Sequence, residues 1–187
     1  MDPFDWYQRY SGLKDLLSKY MRKTDYVLHA GAGNSRMPEE MIEDGYANHM
    51  CIDVSKACVD VMESKHKEKR GIEWRAMDML ALDFPASTFD VVLDKGTLDS
   101  VLCGENSTAN AAKTLAGVSR VLKPDGTYIC VSYGTPEARL TYLENDAYGW
   151  NVVVHTVAKP MVSAAAAAAE ASDATAVHYV YVCTKGE

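Results

Sequence analysis

The chain of 187 residues carries 19 Lys plus Arg against 26 Asp plus Glu, a formal charge of −7. That balance argues against a protein that coats nucleic acid, which needs a basic face to neutralise phosphates. With 48% hydrophobic and 24% charged residues the sequence is globular, and its length suffices for one α/β domain over residues 1–187 with its own core.

No apolar run approaches a membrane span, and Met1-Asp2-Pro3-Phe4-Asp5 lacks the basic-then-apolar pattern of a signal peptide. A cytoplasmic protein without a membrane or nucleic-acid partner is therefore expected. Cys51, Cys58, Cys103, Cys130 and Cys183 form no C-x-x-C pair and have no histidine at zinc-ligand spacing. They read as reduced thiols, and no metal is expected.

In chain order, Tyr26–Ala30 is a buried-strand pattern that stops at Gly31-Ala32-Gly33. A helix follows from Pro38, with Glu39 and Glu40 at its positive end and Gly45 closing it. Met50–Asp53 is a second strand, and Ser55 can cap a helix whose Cys58, Val61 and Met62 share a face. Ile72–Ala76 is a third strand, and Asp90–Asp94 a fourth, apolar enough to be covered on both sides. A long helix is expected over Thr108–Leu122, then a turn at Lys123-Pro124-Asp125-Gly126 and a fifth strand over Thr127–Ser132. Glu137–Glu144 reads as a short helix, Trp150–Val157 as a sixth strand and Ala176–Thr184 as a seventh.

Strands alternating with helices predict a Rossmann-like, doubly wound sheet of seven strands with helices on both faces. Between the last two strands there is no amphipathic helix, only an Ala/Ser-rich stretch over about 159–175. The pair is thus expected to form a hairpin, with the final strand antiparallel and the stretch as its loop.

Gly31 and Gly33 stand at the carboxyl end of the first strand, where ligands of open α/β sheets bind and small residues admit them. Asp53 follows Gly33 by 20 positions, at the end of the second strand, where a carboxylate can accept both hydroxyls of a ribose. A dinucleotide site would want a third glycine at position 36; this chain has Arg36, and its helix begins late. One adenosine with an amino-acid tail, S-adenosylmethionine, fits better than a dinucleotide. Asp78, after the third strand, can accept from an adenine amine or cap a turn before Leu80.

These segments carry a family resemblance. Val27–Ser35, Cys51–Ser55, Met77-Asp78-Met79, Val91–Asp99 and Arg120–Gly126 occur in the order seen in class I S-adenosylmethionine-dependent methyltransferases. Gly33-Asn34-Ser35, Asp94-Lys95-Gly96-Thr97-Leu98-Asp99 and Asp5-Trp6-Tyr7 resemble in particular the branch that methylates lysines of translation elongation factor 1-alpha. The resemblance covers about Asp5 to Val157 and the last strand. It implies that the Gly31 and Gly33 backbones line the methionine moiety, that Asn34 belongs to the cofactor site, that Asp53 holds the ribose, and that Val54 packs on the adenine. It further implies that Asp78 and Met79 read the adenine edge, Lys95 lies beside the cofactor, and Trp6 closes over it. Two features depart from the branch: its upstream Tyr-Trp-Asp-x-Arg-Tyr-like segment is not in this chain, and the Ala-rich stretch stands where the family has a short loop.

Methyl transfer needs alignment and an acceptor with a free lone pair, whereas a lysine amine with a pKa of about 10.4 is protonated at neutral pH. Asp94, at the carboxyl end of the fourth strand, is the candidate catalytic carboxylate for orienting the amine; the alternative is a structural role toward the amides of Gly96 and Thr97. Asp99 reads as a helix-start or turn residue. Tyr133 is a candidate for the acceptor channel, with Tyr148 and Trp150 as its wall or as core, and His29 and His155 as structural. The expected activity is protein-lysine N-methylation of an elongation factor, with S-adenosylhomocysteine as product. Its rivals are a small-molecule methyltransferase and a non-catalytic interaction module on the same fold.

Overall fold

Val27 and Leu28 stand side by side in the strand β1 (Tyr26–Ala30), both fully buried and pointing to opposite faces of the sheet. Burial on both faces is what a central parallel strand demands. β1 lies between β2 (Asn48–Asp53) and β4 (Phe89–Lys95), parallel to both, with Ala30 level with Ile52 on one side and Asp94 on the other. The computed structural model describes residues 5–160 and 176–187.

The sheet has seven strands in the order β3-β2-β1-β4-β5-β7-β6. β3 (Ile72–Ala76) and β5 (Leu122–Ser132) continue the parallel set. β7 (Val177–Lys185) enters antiparallel between β5 and β6 (Trp150–Ala158), as the absence of a crossover helix led us to expect. The expected loop of that hairpin falls largely on residues 161–175, which lie outside the described residues.

Leu98 of α4 (Thr97–Cys103) and Leu115 and Val118 of α5 (Ser107–Val121) close one face over Leu28, Ile52 and Val92. The other face packs Val27, Leu93 and Ile129 against Leu13 and Leu17 of α1 (Tyr10–Leu17) and Met37 and Met41 of α2 (Met37–Glu43). Asp44 ties these two helices together, accepting from Tyr10 Oη at 2.5 Å and from Lys14 and Lys23 Nζ at 2.9 Å. The sixth helix, α6 (Pro136–Leu143), follows β5 and brings Arg139 back under its end.

Three local expectations are corrected. In α3 (Lys56–His66) the buried stripe is Val59, Met62 and His66, at i, i+3 and i+7, so Val61 falls off it and is exposed. Lys123–Gly126 is not a free turn. Leu122 already pairs with Phe89, Lys123 Nζ reaches Asp90 at 3.0 Å, and an irregularity between Phe89 and Val91 absorbs the mismatch, so β5 begins earlier. Where only a helix start or turn at Asp99 was expected, the whole of α4 forms from Thr97 to Cys103; its cap is described below.

Candidate functional site

The order of strands reverses between β1 and β4, since the chain moves outward through β2 and β3 and then returns to β1's other side. A crevice opens outside the carboxyl ends of the strands at such a reversal. Here it is a cleft of about 460 Å³, within the range of small-molecule sites. Gly31, Gly33, Asn34, Asp53 and Lys95 all line it, and Trp6 lies over it, so six of the residues singled out in the sequence meet in one place.

Gly31 is confined to glycine by its neighbour. Its φ is +65°, and a Cβ there would stand 2.1 Å from Oγ1 of Thr97, which donates to the Ala30 carbonyl at 2.7 Å. Two residues on, the Gly33 amide donates to Asp53 Oδ2 at 2.9 Å, and the Ser55 amide donates to Oδ1 at 2.9 Å. Asp53 is thereby fixed at the end of β2. A carboxylate accepts at about four positions, so two amides leave it capacity for ligand hydroxyls.

A roof crosses the cleft from the segment before α1. Lys95 Nζ donates to Asp5 Oδ1 at 3.0 Å and to the Trp6 carbonyl at 2.8 Å, with both charged side chains nearly buried. Burial lowers the Lys95 pKa, opposed by the Asp5 charge. Gln8 fastens the far side, donating to the Ala158 carbonyl at 2.8 Å and lying 3.1 Å from His178 Nδ1.

The sequence-predicted residues do not all reach the cleft lining. Val54 is exposed beside Asp53. Asp78 accepts from the Leu80 amide at 2.9 Å as the cap of a short helical turn, and Met79 is buried in the core. Both follow the end of β3, and the Met77 amide donates to the Asp53 carbonyl at 2.9 Å, which ties this segment to the end of β2.

Asp94 is fully buried and does not line the cleft. Its oxygens accept from the amides of Thr97 (2.7 Å) and Leu98 (3.0 Å) and from the Tyr128 hydroxyl (2.8 Å), which starts α4 at the left-handed Gly96. Burial outweighs these donors and pushes its pKa up to about 7. Tyr148 and Trp150 pack against each other and Tyr128 in the core, away from the cleft.

Asp5, Tyr7, His29 and Asp99 are among the lining residues not assigned there from the sequence. Of the two acids in the Asp94–Asp99 motif, Asp99 is the one that lines the cleft. It accepts from Ser132 Oγ at 2.5 Å and the Tyr133 amide at 3.1 Å, and pairs with Arg139 Nη2 at 3.0 Å. His29 is fixed by a chain of histidines. The Tyr46 carbonyl can only accept, so His49 Nε2 carries the proton (3.0 Å); His49 Nδ1 then accepts from His29 Nε2 at 2.8 Å. Asp99 lies in the same motif as Lys95, and Tyr7 beside Trp6, so proximity within those motifs was the available signal.

A family model described as a methyltransferase domain matches residues 28–130, more than half of the chain. The chain belongs to the methyltransferase domain family. It is 32% identical over 158 residues to "EEF1A lysine methyltransferase 4" of Mus musculus, covering 80% of this chain and 62% of that protein. To "eEF1A lysine and N-terminal methyltransferase" of Mus musculus it is 36% identical over 159 residues, covering 83% of this chain and 23% of that one. The chain thus spans less than two thirds of the length of these relatives. Among solved structures, an S-adenosylmethionine-dependent methyltransferase from Methanosarcina mazei superposes with a TM-score of 0.71 at 16% identity, over 91% of this chain and 97% of the other. That likeness carries the fold.

The residues present fit S-adenosylmethionine. Gly33 has nothing within 4 Å of where a Cβ would be, leaving its cleft face open to a ligand, and the fixed Asp53 carboxylate stands beside it.

Proposed function

We propose that this protein is an S-adenosylmethionine-dependent protein-lysine N-methyltransferase whose substrate is translation elongation factor 1-alpha, which places it in the cytoplasm. The observation that carries the reading is the Gly33–Asp53 contact at the floor of a roofed cleft, in a chain whose relatives are named for lysine methylation of that factor. The cofactor supplies an electrophilic methyl group, so the protein's work is alignment and exclusion of water. Asp53 holds the ribose, the segment Gly31–Asn34 borders the methionine tail, and Val54, Asp78 and Met79 surround the adenine. Lys95 holds Trp6 over the cleft by its carbonyl. Asp94 acts from behind, as a positioning residue: its two bonds to the first amides of α4 set where that helix presents Asp99.

The test is incubation of the purified protein with methyl-labelled S-adenosylmethionine and recombinant elongation factor 1-alpha, followed by peptide mass spectrometry. Label on a lysine, abolished in the Asp53→Ala variant, is expected. Cofactor binding without transfer to the factor would overturn the substrate assignment, and absence of cofactor binding would overturn the enzyme assignment.

A further inference from the structure

On the β5 side of the cleft, across β1 and β4 from Asp53, aromatic rings stand over a paired carboxylate. Tyr7 sits there in a left-handed backbone conformation (φ +64°), which costs a non-glycine residue roughly 1–3 kcal/mol and persists only where its surroundings impose it. Its ring meets that of Tyr133 edge to face, 6.1 Å between centroids. Tyr133 is half exposed although Val131 and Ser132 before it are fully buried. Behind the rings lies Asp99, 2% exposed, with Arg139 on it at 3.0 Å and the guanidinium 5.2 Å from the Tyr133 centroid.

We propose that the cleft wall formed by Tyr7 and Tyr133, backed by the Asp99–Arg139 pair, is the acceptor subsite, and that it receives the substrate lysine as the neutral amine. This rests on the lysine reading above. A free carboxylate would hold an incoming ammonium and raise its pKa, keeping the lone pair occupied by a proton. Asp99 is no free group, because Arg139 pairs with it and Arg139, Ser132 and the Tyr133 amide occupy its oxygens.

The other ionisable groups around that wall agree. On the roof, Asp5 is matched by Lys95 of β4. Cys103 of α4 is an exposed thiol 3.9 Å from the Tyr133 hydroxyl. His178 of β7, 5.1 Å from the Tyr7 ring, is held below its usual pKa first by burial and then by Lys159, so it adds no charge at neutral pH. The Tyr7 phenol is kept protonated by burial and by the Asp99 charge. One face of Tyr133 already carries the Arg139 cation, which weakens that ring as a cage for a second cation. An ammonium entering here exchanges water for a neutral, apolar wall, and sheds its proton to solvent as R–NH3+ → R–NH2 + H+.

The test uses two adenosine analogues in which the sulfonium is replaced by a tertiary amine bearing either a butylamine arm or a plain butyl arm, with S-adenosylhomocysteine as reference. Calorimetry on the whole chain gives the affinity ratio of the two arms from about pH 7 to pH 9. The neutral fraction of an amine with a pKa of about 10.4 grows tenfold per pH unit there, so the ratio should rise about tenfold per unit. Arg139→Met, which exposes the Asp99 charge, should flatten that rise. Tyr133→Ala changes a half-exposed ring and keeps the fold; it should weaken the butylamine compound at least tenfold and leave S-adenosylhomocysteine within about threefold.

A ratio flat with pH in the native protein, or indifferent to Tyr133→Ala, overturns the proposal even if elongation factor 1-alpha is methylated. The expected ratio with no methylation of that factor overturns the substrate assignment and supports the amine subsite.

Discussion

The ring of Tyr7 rests against the bare Cα of Gly96: a Cβ on residue 96 would stand 3.0 Å from Tyr7 Cε2. Gly96 is also left-handed, at φ +89°, because the chain must leave β4 and enter α4 within one residue. One glycine therefore serves both a turn and the seating of an aromatic ring in the cleft.

Gly96→Ala should accordingly do two things. The positive φ would cost roughly 1–2 kcal/mol of stability, read as a lower urea midpoint. The displaced ring would loosen the roof, so backbone hydrogen exchange across residues 5–9 should accelerate by more than the global loss accounts for. Exchange unchanged there would mean that the ring tolerates the methyl.

Asp53→Ala removes the acceptor of both the Gly33 and Ser55 amides along with the proposed ribose contact. Calorimetry should show S-adenosylmethionine binding weakened at least tenfold, about 1.4 kcal/mol. Asp53→Asn keeps one acceptor oxygen and should fall between the two.

Lys95 and Asp5 form a nearly buried pair, and breaking such a pair from one side leaves an uncompensated charge, at a cost of about 3–5 kcal/mol. The roof can escape that cost by detaching. Lys95→Met is thus expected to expose the segment before α1 to protease while moving the global unfolding midpoint little. Adding Asp5→Asn should restore part of the protection.

Between about pH 5 and pH 7 stability has two opposing contributions. Burial lowers the imidazole pKa of His29, His49, His66 and His178, so the unfolded chain takes up their protons first. Their contribution is complete above about pH 6.5 and is lost as pH falls below it. Asp94 runs the other way. With its folded pKa pushed up to about 7, its contribution is greatest at low pH and is lost as pH rises toward 7. Asp94→Asn leaves only the histidines, so its urea midpoint should drop more steeply than the native protein's between about pH 7 and pH 5, by up to about 1.4 kcal/mol per pH unit. Parallel slopes would mean that the three donated hydrogen bonds keep Asp94 ionised.

Much of this architecture was legible in the residues. Short buried runs ending at Gly31-Ala32-Gly33 and Asp53 give parallel strands and their ligand edge, because burial on both faces and a tight turn leave few other solutions. The antiparallel last strand followed from a missing crossover helix. What stayed hidden depends on contacts far apart in sequence. Asp94 and Asp99 are both acids in one short motif. Only the packing shows that Asp94 turns inward to Tyr128 and α4, while Asp99 meets Arg139 at the cleft. Likewise, nothing local to His29 announces His49 as its partner.

The Gln8 latch joins residues 170 positions apart in sequence, Gln8 and His178, across a hairpin whose second strand lies inside the sheet. Contacts of such separation form late in folding, after loop-closure entropy has been overcome by other pairings. A ribosome that has released β1 to β5 has exposed the glycine loop and Asp53, yet β7 must still emerge and insert before His178 can receive the latch. The segment before α1 is thereby latched across the cleft only when the sheet is complete.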